Sequence, residues 1–390
     1  SLGQVYPGQM DSTFVPVRSH HYDPELTFDF CVNEPAWNNQ AGIHSAFGST
    51  DRLYFRKEVP VNHNNDLSSS YSTTVWRGER ANAQILVWSS EALEQVRVST
   101  QDLRSAEGNI IPKDRITFEL VRYVLSNYPY AEKKAICGES PYKSGFLMPD
   151  RFETLDRFDL PSQTTRPVWM MVDVPRGTVP GTYKGQVEVR AKGKAPQLLN
   201  LEIVVQNQLL PYPKDWKYRL DLWQNPWAVA WYNHVEPWSP EHKMLLKQHL
   251  KHYADAGGTY ITTYGVHSPW SDNSYMIEGG MIEWIKKADG TWAFDYKIFD
   301  EYVELAMECG IDEAITLYTP IPWGFRHRYK DEATGDYSYI NWAPSSEEFK
   351  KMWNIFLTDF KFHLEAKSWL DITYIGINEN PMEETLAAIN

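Results

Sequence analysis

The residues best suited to chemistry lie near the C-terminus, in the run Ile377-Asn378-Glu379-Asn380-Pro381. Glu379 follows a short apolar segment typical of a buried strand, and a proline turns the chain away soon after it. A carboxyl group at such a strand end can be partly removed from water and stay protonated, so that it could protonate a leaving oxygen. Alternatively, Glu379 simply precedes the helix predicted from Met382, although Glu383 and Glu384 already suit the dipole of that helix. Position alone leaves both roles open.

Aromatic and carboxamide side chains follow the other predicted strands of this half, where active sites of parallel α/β folds lie. They are Trp223, Gln224 and Asn225 after the first strand, His267 and Trp270 after the second, and Tyr318 and Trp323 after the third, with Arg326 and Tyr329 further along the third loop. Indole faces, carboxamides and one acid at a single opening are typical of a carbohydrate site. Any one of these residues could equally pack a loop, and for His267 that is the default. For the whole set we predict sugar binding.

Four βα units are predicted to position these side chains. The predicted strands are Tyr218–Trp223, Thr259–Tyr264, Ala314–Tyr318 and Ile372–Ile377. The predicted helices start at Ser239-Pro240, at Asp295, at a capping box formed by Ser345 and Glu348, and near Met382. Alternating units indicate a parallel sheet, doubly wound or a (β/α)8 barrel, and the long loops after the strands favour the barrel. A barrel needs eight units, so residues 216–390 would supply its N-terminal half. We therefore expect a fragment, or a barrel that another chain completes. Helical His242, His249 and His252 are predicted to lie on a solvated face.

The preceding half of the chain has the pattern of an antiparallel β-sandwich. In Tyr183–Arg190 every second side chain is charged or polar, which predicts one buried and one wet face, and similar segments recur across residues 51–208. Residues 1–50 are predicted to be an irregular arm, Tyr128–Pro161 a long loop, and residues 209–215 a linker.

Charge and composition exclude several classes of partner. The formal charge of −13 comes from 38 Lys and Arg against 51 Asp and Glu, without a basic cluster, so neither nucleic acid nor an anionic membrane surface is expected as a partner. No apolar run is long enough to cross a bilayer. The three cysteines, Cys31, Cys137 and Cys309, form no disulfide framework, and no cofactor or metal motif is present, so we predict no cofactor.

Several longer motifs resemble glycoside hydrolase family 123. They are Leu220–Pro226, Trp238-Ser239 with Glu241-His242, Asp289–Trp292 with Phe294–Tyr296, Ile321–Trp323 and Asn378–Glu383, in the family's order along the whole α/β half. The N-terminal half is similar more loosely, through Trp76–Glu79 and Pro175–Gly185.

The resemblance implies a β-N-acetylgalactosaminidase with a β-sandwich followed by a (β/α)8 barrel. It also implies substrate-assisted retaining chemistry by an adjacent Asp-Glu pair, in which Glu379 is the general acid/base and the preceding residue orients the 2-acetamido group of the sugar. This sequence departs from the pattern because Asn378 occupies the Asp position. We expect a carboxamide oxygen there to accept the acetamide N–H, but to supply no charge to an oxazolinium ion.

Three readings follow for the function. The first is a glycosidase that removes terminal β-linked N-acetylgalactosamine from glycans or glycolipids, with activity reduced by Asn378. The second is a degenerate glycan-binding protein on the same fold, and the third is a hydrolase for another sugar that uses two distant carboxylates. Because complex glycans are met outside the cytoplasm, we expect a periplasmic or secreted protein.

Overall fold

The computed structural model describes residue 25 and residues 34–62, 66–126, 146–269 and 279–389. These residues form two compact units, one ending at Leu210 and the other beginning at Pro211. In the described part of the chain, no helix is both long and apolar enough to span a membrane.

The first unit consists of β-strands arranged in two sheets. The strands are β1 His44–Gly48, β2 Ser70–Arg77, β3 Arg80–Ser89, β4 Leu93–Thr100, β5 Leu103–Arg104, β6 Ile110–Ile111, β7 Ile116–Ser126, β8 Phe146–Glu153, β9 Phe158–Leu160, β10 Thr164–Asp173, β11 Gly181–Arg190 and β12 Gln197–Leu209. One sheet has the order β1-β3-β10-β7-β8 and the other β2-β12-β11-β4-β9, with β5 pairing to β11 and β6. Short 3-10 helices span Glu34–Trp37 and Lys113–Arg115.

Both sheets contribute side chains to a single apolar core. Ile85 and Val87 come from one sheet and Val187 and Ile203 from the other, and all four are fully buried in this core. Along β11 the side chains alternate between buried and more exposed positions, as the period-2 pattern predicts. The β-rich N-terminal half predicted from the sequence is thus present.

Three details of that prediction are wrong. Strand β2 pairs with β12 in parallel, so the unit is not entirely antiparallel, because alternation encodes burial but not strand direction. Strand β1 lies within the predicted irregular arm and pairs with β3. Strands β8 and β9 lie within the predicted loop Tyr128–Pro161; Pro149 argues against a central strand there, but β8 is at a sheet edge, where proline is tolerated.

The second unit mixes helices and strands. The helices are α1 Pro226–Asn233, α2 Pro240–Asp255, α3 Lys297–Glu308, α4 Glu347–Lys367 and α5 Met382–Ile389; the strands are β13 Tyr260–Tyr264, β14 Glu283–Lys286, β15 Trp292–Asp295, β16 Ala314–Tyr318, β17 Arg326–Asp331, β18 Tyr337–Asn341 and β19 Thr373–Gly376. Short 3-10 helices span Pro213–Asp215, Trp323–Phe325 and Leu370–Ile372.

A three-stranded parallel sheet, β13-β16-β19, forms the frame of this unit. Its strands coincide closely with the second, third and fourth predicted strands. The first predicted strand, Tyr218–Trp223, is reduced to one parallel bridge between Leu220 and Gly258, and the sheet is not closed in the described residues. The structure therefore gives a mixed α/β unit but does not establish a barrel of four βα units.

Local capping signals set the helix boundaries. Ser239 caps α2, where its Oγ accepts the His242 N–H at 3.2 Å. The predicted capping box at Ser345 is wrong by one residue, because Ser346 is the N-cap of α4 and accepts from the Phe349 N–H at 3.1 Å. Asp295 lies one residue before the α3 N-cap, and its side chain accepts the Lys297 N–H at 2.9 Å.

The long loops predicted after the strands fold into a second sheet, β15-β14-β17-β18. Its inner face and α4 meet around the indole of Trp284, which stacks on Phe356 at 4.7 Å. His242 is also buried in this unit, and its ring contacts the Trp238 N–H and the Pro226 carbonyl, so the prediction that it lies on a solvated face is wrong.

Candidate active site

The parallel register places the C-terminal ends of three strands at one edge of the sheet. Tyr264 is opposite Tyr318, and Tyr318 is opposite Gly376, so the segments that follow these residues begin side by side. Asn378 and Glu379 follow the last of these strands by two and three residues. Tyr318, Asn378 and Glu379 therefore lie at the edge where parallel sheets place their ligands.

Asn378 is held rigidly at this edge. The residue is only 5% exposed, and its Oδ1 accepts a hydrogen bond from the Tyr318 hydroxyl at 2.6 Å and from the Glu379 backbone N–H at 2.8 Å. Because a backbone N–H can only donate, the hydrogen bond from the Glu379 N–H shows which end of the carboxamide is oxygen. Its Nδ2 is buried without a hydrogen-bond partner in the described part of the chain. Asn378 therefore presents an unused donor, while its oxygen already accepts two hydrogen bonds; that this oxygen accepts the acetamide N–H of a sugar stays a prediction.

The Glu379 side chain is exposed, although its neighbour is buried. The described residues therefore leave this carboxyl group open to water, whereas its place at a strand end predicts partial burial. The turn that carries Glu379 is nevertheless fixed, because the Asn380 N–H donates to the Asn378 carbonyl at 2.8 Å and the Asn380 side chain donates to the Ile321 carbonyl at 2.9 Å. The side chain of Glu379 is thus open to solvent while its backbone is anchored.

Trp223 joins this group through ring contact. Its indole is half exposed and packs on the buried Tyr318 ring at 4.9 Å, with 47° between the planes. The Gln224 backbone carbonyl accepts the Tyr264 hydroxyl at 2.7 Å. The Asn225 side chain caps α1 by accepting the Ala228 N–H at 3.3 Å, so its oxygen has a structural role.

Backbone hydrogen bonds link the two remaining loops. The Trp323 N–H donates to the Pro269 carbonyl at 3.1 Å, which ties the loop after β16 to the loop that carries His267. Burial and, to a smaller extent, the positive charges of Arg328 and Arg326 together lower the pKa of His267 to about 4, so the ring is neutral at neutral pH. Trp270 lies outside the described residues.

Two contributors lie at the predicted strand ends but outside the residues predicted to line the sugar subsite. Tyr264 positions Gln224, and Asn380 ties the Glu379 turn to Ile321. Their only sequence signal is their place at strand ends. No group of three or more His, Cys, Asp and Glu side chains is placed to hold a metal ion in the parts of the chain that the structure covers.

A parallel sheet that ends in a Trp-Tyr pair, a buried carboxamide and an adjacent glutamate defines a candidate carbohydrate-active site. The chain matches two family models of this class. They are "Glycoside hydrolase 123, catalytic domain" over residues 223–390 and "Glycoside hydrolase 123 N-terminal domain" over residues 47–191. The chain belongs to glycoside hydrolase family 123.

Among solved structures, the chain is similar to a family 123 glycoside hydrolase from Clostridium perfringens studied for glycolipid glycan hydrolysis. The two are 26% identical with a TM-score of 0.79, and the match covers 90% of this chain and 60% of that one. The chain thus spans about 60% of the length of that relative.

Other matches are much weaker. An ASH/PapD-like domain of human CEP192 is 12% identical over 47% of this chain and 99% of that domain, with a TM-score of 0.23. A Bacteroides ovatus GH5 xyloglucanase is 8% identical over 65% of this chain and 46% of that enzyme, with a TM-score of 0.18. Similarities this low carry no argument. No curated protein matches the chain.

Proposed function

We propose that this chain removes terminal β-linked N-acetylgalactosamine from glycans or glycolipids at the Asn378–Glu379 edge, and that Asn378 slows the reaction. The observation that carries the proposal is the connected set formed by the Trp223 ring, the Tyr318 ring and hydroxyl, and the Asn378–Glu379 pair. Family membership and the glycolipid glycan hydrolysis ascribed to the Clostridium perfringens relative support the substrate class. Such substrates suit a periplasmic or secreted protein, which we propose as its location.

In the proposed reaction, Glu379 gives its proton to the glycosidic oxygen while the 2-acetamido carbonyl oxygen of the sugar attacks C1. The C1–oxygen bond breaks, and an oxazolinium ion forms. The Glu379 carboxylate then takes a proton from water as the water oxygen attacks C1, which reopens the ring and gives a product of retained configuration. A sugar bound over Glu379 would itself exclude water from the exposed carboxyl group.

The orientation of Asn378 supports a slow reaction. An aspartate at this position would offer a charged oxygen to the acetamide N–H and to the positive oxazolinium ion. The Asn378 Nδ2 offers only N–H groups, whose best partner is the acetamide carbonyl oxygen. A donor on that oxygen stabilises the uncyclised amide and opposes its attack on C1.

The same feature favours a second candidate, a glycan-binding protein with little or no turnover. An enclosed N–H group without a partner costs about 1–3 kcal/mol, and a ligand carbonyl that reached it would recover this cost. Because Nδ2 is buried, the groups that cover it must move for a ligand to reach it.

Calorimetry and turnover together separate the two functions. We expect the native protein to bind N-acetylgalactosamine and to hydrolyse an aryl β-N-acetylgalactosaminide slowly, but not the aryl β-galactoside that lacks the acetamido group. Glu379→Gln is the matched control and should retain binding while losing turnover. Binding with no turnover, even in the Asn378→Asp variant, would favour the binding protein. Equal turnover of both aryl substrates would contradict substrate assistance.

A further inference from the structure

The exposed face of the β17–β18 hairpin carries an ordered pattern of arginines and tyrosines. In the antiparallel register Arg328 is opposite Tyr339 and Lys330 is opposite Tyr337, so the side chains of these residues and of Arg326 share one face. We call these five residues the Arg–Tyr face. The opposite face carries the buried His327, so the Arg–Tyr face is the outer side of the sheet.

Each tyrosine of this face is stacked by an arginine but stays accessible. The Arg326 guanidinium carbon lies 3.9 Å from the ring centre of Tyr339, and that of Arg328 lies 4.2 Å from the ring centre of Tyr337. The two rings remain 49% and 50% exposed. A guanidinium stacked in this way keeps its in-plane N–H groups free to bind a planar anion, while the open side of the ring can pack against a sugar.

The Arg–Tyr face lies next in the chain to Trp323, one of the residues predicted to bind the sugar. Arg326 starts β17 three residues after Trp323, whose N–H is bonded to the Pro269 carbonyl of the His267 loop. Arg326 and Arg328 are also close enough to His267 to lower its pKa, after the larger effect of burial. A glycan that reached the Glu379 edge could therefore extend onto this face.

Charge distinguishes this face from the rest of a protein with a net charge of −13. Glu283 contacts Arg328 at 3.5 Å and accepts the Tyr337 hydroxyl at 3.4 Å, so it offsets one of the positive charges. Arg326 is exposed and has no carboxylate partner among the described residues. The other acids of the hairpin, Asp331, Glu332 and Asp336, lie at or beside its turn, the end away from Trp323.

We propose that the Arg–Tyr face binds a carboxylate-bearing sugar, such as a sialic acid branch, in a glycan whose terminal N-acetylgalactosamine occupies the candidate active site. Arg326 would hold the carboxylate through two parallel N–H groups, and the Tyr339 ring would pack against the sugar. This inference rests on the proposed function for the position of the terminal sugar. It adds a preference for acidic over neutral glycans.

Calorimetry with two matched ligands tests this proposal. One ligand is a free oligosaccharide with terminal β-linked N-acetylgalactosamine beside a sialic acid branch, and the other is the same oligosaccharide without the sialic acid. We expect the native protein to bind the sialylated ligand about tenfold more tightly at low salt, and the difference to shrink at high salt. Arg326→Gln should remove the difference, and Arg326→Lys should restore only part of it. Lys350→Gln is the control, because it removes one exposed positive charge from α4 instead of the hairpin.

The possible outcomes separate this inference from the proposed function. Equal affinity of the native protein for both ligands would overturn the inference, and so would an unchanged preference in the Arg326→Gln variant. If the neutral ligand still binds in that case, the proposed function stands. An equal gain from a sulfated branch would overturn the assignment to a carboxylate. A third outcome is that the sialylated ligand binds in an Arg326-dependent way while the neutral ligand and N-acetylgalactosamine do not bind. That result would support acidic-sugar binding by the Arg–Tyr face and contradict the proposed function.

Discussion

The hydrogen bond between Tyr318 and Asn378 gives a sharp test of how the candidate site is held together. Tyr318→Phe keeps the ring that packs on Trp223 but removes the hydroxyl that donates to Asn378 at 2.6 Å. Asn378 Oδ1 keeps its second donor, the Glu379 N–H. The substitution therefore removes one buried hydrogen bond without emptying a large volume.

The size of the effect depends on the charge at position 378. With the neutral carboxamide, we expect Tyr318→Phe to lower the free energy of unfolding by about 0.5–1.5 kcal/mol. With the Asn378→Asp substitution, the hydroxyl would donate to a charged acceptor, and the loss should rise to about 1.5–3 kcal/mol. The difference, about 1–2 kcal/mol, corresponds to roughly tenfold in kcat/KM if the carboxylate must be held in place for turnover.

The assay is a double-mutant cycle of Tyr318→Phe and Asn378→Asp, followed by urea unfolding and by hydrolysis of the aryl β-N-acetylgalactosaminide. Tyr296→Phe is the matched control, because it removes another hydroxyl of the same unit, bonded to Asp359 at 2.7 Å. Its cost should be the same in both backgrounds. Equal losses for Tyr318→Phe in the two backgrounds would refute the reasoning that Tyr318 holds residue 378.

Two further predictions concern stability. Glu25→Gln should lower the free energy of unfolding of the first unit by about 3–5 kcal/mol, measured by urea unfolding. The reason is that Glu25 pairs with the buried Arg166 and Arg56, which would lose their counter-charge. A loss below about 1 kcal/mol would contradict the importance of this pairing. Burial lowers the pKa of His327 to about 4, and its Nε2 accepts the Trp353 indole N–H at 3.1 Å, so folding requires the neutral ring. Since the unfolded state binds the proton first, stability should fall by up to about 3 kcal/mol between pH 6.5 and 4, and His327→Gln should flatten this slope.

The sequence predicts the local parts of the fold well. The alternation in β11 and the Ser239-Pro240 start of α2 depend on neighbours within a few residues, so they can be inferred from the pattern alone. The parallel strands β13, β16 and β19 are short apolar runs between turn signals. Their shared edge then follows from general rules of α/β folds, which is why Asn378, Glu379 and Tyr318 could be grouped in advance.

Long-range pairing limits the rest of the prediction. The hairpins β14–β15 and β17–β18 have short strands with mixed polarity, and β14 pairs with β17 about forty residues later, so neither hairpin was predicted. The burial of His242 depends on the carbonyl of Pro226 in another helix. The Asn378 carboxamide is also held by the hydroxyl of Tyr318, sixty residues earlier, and no local pattern predicts that contact.

The effect of Asn378→Asp on hydrolysis tests the central claim most directly, namely that the residue before Glu379 limits a reaction driven by the sugar's own acetamide. The measurement is the ratio of kcat/KM between this variant and the native protein on an aryl β-N-acetylgalactosaminide, with circular dichroism to show an intact fold. We predict an increase of about 100-fold or more, because a preorganised charge at the developing cation is worth roughly that much. A ratio near one, in a folded Asn378→Asp variant that is as inactive as Glu379→Gln, would contradict the account.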